Sequence, residues 1–193
     1  MVPEGEPVVI RAQARKTGVL RARSSGRNAS WSRFVAVETE RKFLVADDSW
    51  RSHVTEGRIL RQGYLAIDGR TSVRVRTDGK SAWLTVKGAP EGVSRPEFEY
   101  PVPMEDAAAL LGLCDGRLIE KTRHLVPVGD KVWEIDEFSG ANEGLLVAEL
   151  ELDGPNEDFP RPKWLGPEVS DDPRYLNASL SIRPFRYWAD EVG

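Results

Sequence analysis

The chain has 193 residues, with 27 Lys and Arg against 31 Asp and Glu, 40% hydrophobic residues and one cysteine. That is the size and composition of one folded domain, and it excludes disorder of the chain as a whole. A lone cysteine excludes a disulfide framework and a Cys-rich zinc site, and with His53 and His124 as the only histidines any bound metal has to be held by oxygen.

The charge is unevenly spread. Residues 1–36 carry seven basic and two acidic groups (+5), residues 37–193 carry twenty and twenty-nine (−9), and the two add to the −4 of the whole chain. Arg11, Arg15, Lys16, Arg21, Arg23, Arg27 and Arg33 stand among Ser and Gly without a strand or helix period. Residues 1–33 are therefore expected to be a flexible basic extension, and residues 34–193 the folded domain. The extension lacks the apolar core of a signal peptide, and an organelle transit peptide is the alternative to a structureless tail. No apolar run is long enough to span a bilayer. No aromatic platform is interleaved with the basic residues, which argues against nucleic acid as a partner. A cytoplasmic location is expected.

From residue 34 the chain reads as short strands separated by turns, at 34–45, 56–66, 71–77, 81–88, 95–102, 117–127, 131–138 and 144–152. Asp68-Gly69, Asp78-Gly79 and Gly129-Asp130 tolerate positive φ and mark tight hairpins, so neighbouring strands should pair antiparallel. Met104–Leu113 carries Ala107, Ala108, Leu110 and Leu111 at helical spacing, with Gly112 placed to help end it. The Pro- and Trp-bearing stretch 155–169 reads as a loop, and a second helical piece is expected at 173–182. The fold class is mainly β: a closed eight-stranded antiparallel barrel with peripheral and C-terminal helices.

Side chains two apart on a strand share a face. Glu38, Glu40 and Lys42 do so on the first strand, Arg74 and Arg76 on the third, and Lys87 follows Thr85 on the fourth. Glu97 and Glu99 share one on the fifth, Lys121 and Arg123 on the sixth, Glu134 and Asp136 on the seventh, and Glu149 and Glu151 on the eighth. Such alternation ordinarily marks a solvent face. Here, however, acidic pairs are sorted onto some strands and basic pairs onto others, which a solvated surface does not require. If the charges face inward, the apolar faces must be covered by helices, loops or a second subunit, and the lumen must contain water, metal or an anion. Lys and Arg bind phosphate oxygens, whereas Glu and Asp bind Mg²⁺ or Mn²⁺, so such a lumen suits a polyanion held together with divalent metal.

Glu38-Thr39-Glu40-Arg41-Lys42 resembles the Glu-X-Glu-X-Lys signature of the CYTH superfamily, the triphosphate tunnel metalloenzymes. Arg61-Gln62-Gly63-Tyr64, Val73-Arg74-Val75-Arg76, Leu84-Thr85-Val86-Lys87, Arg95-Pro96-Glu97-Phe98-Glu99, Glu120-Lys121-Thr122-Arg123, Trp133-Glu134-Ile135-Asp136 and Ala148-Glu149-Leu150-Glu151-Leu152 fit in the same order. The resemblance covers roughly residues 35–183. It implies an eight-stranded tunnel that binds triphosphates with Mg²⁺ or Mn²⁺, and it is closest to short inorganic triphosphatases, which split tripolyphosphate into pyrophosphate and phosphate. A class IV adenylyl cyclase and a non-catalytic polyphosphate or nucleotide binder are the alternatives. His124 stands where the family often has Tyr.

On this reading Arg74, Arg76, Lys87, Lys121 and Arg123 grip the phosphates, while Glu38, Glu40, Glu149 and Glu151, with Asp136 next, hold metal. Glu97, Glu99 and Glu134 support the basic residues. The resemblance implies that Lys42 and Tyr64 form the hydrolytic pair. Arg61 enters the lumen only if a bulge intervenes at Gly63. An apolar outer wall would suit a homodimer.

Overall fold

The computed structural model describes residues 37–188. The expected basic extension, residues 1–33, lies outside them, as do residues 34–36 of the first expected strand. All eight expected strands form: β1 (Val37–Val45), β2 (Glu56–Ile67), β3 (Ser72–Thr77), β4 (Ala82–Lys87), β5 (Ser94–Val102), β6 (Leu118–Val128), β7 (Lys131–Phe138) and β8 (Leu146–Glu151). The hairpin turns form for the reason their sequences give. Asp68 Oδ1 accepts the N–H groups of Arg70 and Thr71 at 2.8 and 2.6 Å, and Asp78 Oδ1 those of Lys80 and Ser81 at 2.9 and 2.7 Å. The following Gly69 and Gly79 take φ of 81° and 85°, which a side chain would strain.

Every pairing is antiparallel, in the order β5-β4-β3-β2-β6-β7-β8-β1, and a β1–β5 pairing closes the barrel. The closing seam is short, joining Val37, Glu38 and Thr39 to Pro96, Arg95 and Ser94. Beyond it the same edge of β1 is taken by a ninth strand, β9 (Leu165–Glu168), where the sequence reads as loop. Gly166-Pro167 hides this strand from a pattern reading, since both residues weaken a strand and Pro is tolerated only at an edge. Gly166 is needed there, because a Cβ would lie 2.9 Å from the Leu44 carbonyl oxygen.

The apolar faces lie outside the barrel beneath covers. Phe43, Trp133, Ile135, Ala148 and Leu150 pack with Trp50, from the 3-10 helix Asp48–His53, and with Trp164. On the opposite side α1 (Met104–Gly112) buries Ala107 and Leu111 against Val75, Ala82 and Cys114, where each large aliphatic side chain removed from water contributes roughly 1.5–3 kcal/mol. Gly63 makes this contact close, since a Cβ on it would lie 2.5 Å from Cys114 Sγ. The second expected helical piece is a 3-10 turn, Pro173–Tyr175, followed by α2 (Asn177–Ile182). Leu180 of α2 packs on Tyr64, Ile119, Phe138 and Val147, all on the inner faces of their strands, so this helix caps one end of the barrel. No helix among the described residues is long and apolar enough to cross a membrane.

Candidate active site

The charged faces point inward. Lys42, Arg74, Arg76, Lys87, Lys121, Arg123, Asp136 and Glu149 are buried to the same degree as the apolar core, all below 9% exposure. Glu38, Glu40, Glu97, Glu99 and Glu134 are partly buried beside them, and Glu151 is exposed at the rim. This removes the solvent-face reading of the alternation. The strand order also places β3 four strands from β8 in both directions, so Arg74 and Arg76 rise from the wall opposite Glu149 and Glu151.

Three ion-pair networks fill the lumen. In the first, Lys42 Nζ lies between Glu40 Oε2, at 2.5 Å, and Glu149 Oε1; Arg123 Nη2 reaches Glu149 Oε2 at 2.5 Å. Arg123 also donates to Asp136 Oδ1 and Oδ2, both at 2.7 Å, and to Glu134, while Lys121 bonds Asp136 and, at 3.3 Å, Asn177 Oδ1. In the second, Lys87 Nζ bonds Glu38 at 2.6 and 2.9 Å and pairs with Glu97 at 3.0 Å, and Arg95 Nε donates to Glu38 at 3.0 Å. In the third, Arg76 Nη2 donates to Glu99 Oε2 at 3.0 Å, and Arg74 reaches the same carboxylate through Thr85, at 3.2 and 3.1 Å. In these networks the buried ions offset one another in alternating chains, which lowers the cost of enclosing them.

Electrostatics differ around the ring. Burial would raise the Glu38 and Glu149 carboxyls, but Lys87 and Arg95 hold the first, and Lys42, Arg123 and Lys121 the second, well below the usual range. Burial would lower Lys42, yet Glu149 and Glu40 outweigh it and raise its pKa, so its amine is held as ammonium. Glu40 and Glu97 shift the other way, both raised first by burial. Burial, with Glu149 and Glu38 close by, raises Glu40 to about 7 despite Lys42, marking a local surplus of negative charge. Burial takes Lys121 down to about 8, Asp136 notwithstanding. Tyr64, fully enclosed, is pushed up by burial and remains a protonated phenol.

Lys42 and Tyr64 share no hydrogen bond: the lysine is held by its two carboxylates, and Gln62 Nε2 lies 3.4 Å from the Tyr64 hydroxyl. The β2 irregularity falls between Tyr64 and Ala66 and not at Gly63, so Arg61 stays outside, 3.3 Å from Glu120. His124 also faces outward, its Nε2 3.0 Å from Glu137 and its ring against Trp50, and it does not shape the lumen. Arg95, which has the parity of Glu97 and Glu99 and was legible by that rule, joins the site. So does Asn177, which arrives from α2 and is not among the site residues expected from sequence.

Among the described residues no group of His, Cys, Asp or Glu converges as a ready-made metal cage. The donor set nevertheless fits a hard divalent cation. Glu40 is paired in register with Glu151, and Glu134 with Glu149, forming a continuous stripe of oxygen donors. The raised Glu40 lies within that stripe, where an added cation would relieve the charge surplus.

The CYTH domain model matches residues 36–181. The chain belongs to the CYTH domain family. Among CYTH relatives, the inorganic triphosphatase of Acetivibrio thermocellus is 45% identical over 150 residues, which cover 77% of this chain and 96% of that protein. The inorganic triphosphatase of Nitrosomonas europaea is 34% identical over 150 residues, covering 75% and 97%. The crystal structure of the inorganic triphosphatase NE1496 superposes with a TM-score of 0.56 at 32% identity, over 75% of this CYTH chain and 94% of that one.

Proposed function

We propose that this chain is a cytoplasmic, metal-dependent inorganic triphosphatase, splitting tripolyphosphate into pyrophosphate and phosphate with lesser activity on nucleoside triphosphates. The observation that carries the reading is the closed lumen in which Arg74 and Arg76 face the carboxylates of β1 and β8. The two inorganic triphosphatase relatives support it.

Phosphoryl transfer asks a protein chiefly for alignment and for charge where charge develops. Arg74 and Arg76 supply guanidinium forks to the phosphate oxygens, and Lys87, Lys121 and Arg123 supply further positive charge. Mg²⁺ or Mn²⁺, held by Glu40, Glu149 and Glu151 with Glu38 and Asp136, would supply positive charge against the same oxygens. Glu97, Glu99 and Glu134 fix Lys87, Arg76 and Arg123. Lys42 is ammonium while Glu149 and Glu40 share it. With those carboxylates engaged by a bound cation, burial would favour the neutral amine of Lys42, the form that accepts a proton from water. Tyr64, protonated, acts as a hydrogen-bond donor rather than a base. The uncovered faces of Phe98 and Tyr100 on β5 support the homodimer expected from an apolar outer wall.

A phosphate-release assay on tripolyphosphate, ATP, thiamine triphosphate and pyrophosphate, with Mg²⁺, Mn²⁺ or chelator, tests the proposal. Release chiefly from tripolyphosphate, abolished by chelator, is expected. Cyclic AMP formed from ATP, or tight binding without turnover under every metal condition, would overturn it.

A further inference from the structure

Gln62 has no part in the roles above, yet it is fully buried on the inner face of β2. It shares that face with Leu60 and Tyr64 and is paired in register with Ile119 on β6 and Arg76 on β3. Its Nε2 lies 3.4 Å from the Tyr64 hydroxyl, while its Oε1 is buried and makes no hydrogen bond among the described residues. Close by in the ladder, Arg74, which is paired with Tyr64, buries an Nε that likewise makes none. A buried acceptor and a buried donor left open on adjoining strands of a lumen are costly unless something else occupies them.

The chemistry of the open atom selects its guest. A phosphate oxygen is an acceptor and is repelled by the amide oxygen, so the guest must bring a proton, and the small donor required for hydrolysis is water. The carboxylates bonded in the three networks are unsuited to this task, because each already holds a Lys or Arg. A carboxylate at position 62 would be captured by Arg76 in the same way, and it would repel the substrate. A neutral amide accepts a hydrogen bond without either cost. Its place opposite Arg76 sets it beside any phosphoryl group gripped by the two β3 arginines.

We propose that Gln62 Oε1 holds the attacking water against the terminal phosphoryl group of tripolyphosphate bound by Arg74 and Arg76. The inference rests on the triphosphatase reading and adds a water-holding residue to it. In the step it serves, the water oxygen forms a bond to the terminal phosphorus and the bridging P–O bond breaks. Its electron pair leaves with pyrophosphate, one water proton passes to the neutral Lys42 amine and the other stays on the orthophosphate formed. The amide is unchanged, and its contribution is alignment, for which a small misplacement costs about a hundredfold in rate.

The test compares the wild-type chain with Gln62→Met, which keeps the volume and removes the acceptor, and Gln62→Glu, which keeps an acceptor oxygen. Thermal melting verifies that each variant folds. Initial rates with tripolyphosphate and Mn²⁺ are expected to give a kcat about a hundredfold lower for Gln62→Met, with KM within about threefold of wild type. For Gln62→Glu, kcat should fall between the two and KM should rise, because the added charge opposes the substrate. A Gln62→Met enzyme with kcat within about twofold of wild type, or one whose whole loss is in KM, overturns the assignment and leaves the triphosphatase reading standing. If Gln62→Met does not fold, Gln62→Leu decides on the same readings: a kcat about a hundredfold lower with KM within about threefold supports the role, and a kcat within about twofold of wild type overturns it. A wild-type chain that releases no phosphate overturns both the assignment and the triphosphatase reading.

Discussion

Lys42 on β1 stands opposite Glu149 on β8 in register, and one ammonium serves both Glu149 and Glu40. Lys42→Ala should therefore act on chemistry more than on affinity. We expect turnover of tripolyphosphate to fall at least a hundredfold while its Kd, measured by calorimetry in chelator and in Mg²⁺, changes about threefold or less. Equal losses in both would reduce Lys42 to a phosphate-binding lysine. The variant should also be less stable, by up to about 3–5 kcal/mol, because two buried carboxylates lose their shared partner; Arg123 on Glu149 offsets part of this.

Arg95 and Lys87 both bind Glu38. In Arg95→Met the carboxylate has only Lys87 left, so the lysine is drawn more tightly to Glu38 and is less available to a substrate. KM for tripolyphosphate should rise about tenfold with kcat within about threefold of wild type. An unchanged KM would mean that Lys87 does not meet the substrate.

The strap formed by β9 is tied down by Glu168, whose carboxylate takes Arg41 Nε at 2.7 Å and the Ser170 hydroxyl at 2.8 Å. The Arg41 hydrogen bond holds its pKa below the ordinary 4.5, with burial opposing and Ser170 assisting. A depressed carboxylate contributes stability that is present above its unfolded pKa and lost as pH falls through the folded value. Proteolysis between residues 152 and 172 should therefore speed up below about pH 4.5, and Glu168→Gln should show the faster rate already at about pH 6. Equal cleavage of the two proteins at that higher pH would contradict the tie.

Gly63→Ala places a methyl 2.5 Å from Cys114 Sγ and 2.9 Å from its Cβ. Overpacking of this kind costs about 1–3 kcal/mol, read as a lower melting temperature. Cys114→Ala in the same chain should recover only part of the loss, because the Cβ contact remains. Full recovery would mean that α1 shifts freely.

The barrel was legible because its strands keep strict alternation, and the sorting of charge sign between strands marked the inner face. Position 95 could be read by the same parity as Glu97 and Glu99. What escaped depends on partners distant in sequence. β9 exists because the edge of β1 beyond the seam needs hydrogen bonds, a demand that Gly166-Pro167 does not announce. The short helix Asp48–His53 forms where Trp50 seeks cover on β6. The pairing of Lys42 with Glu149 depends on which strands become neighbours, and parity within one strand carries no trace of it.

The three-residue stitch between β1 and β5 gives the cylinder a zipper. Parting there would uncurl the wall without breaking any other ladder. Because Glu38 and Arg95 are two of its teeth, the same event would dismantle the Lys87 network. Mechanical integrity and charge arrangement in this molecule therefore fail at one place.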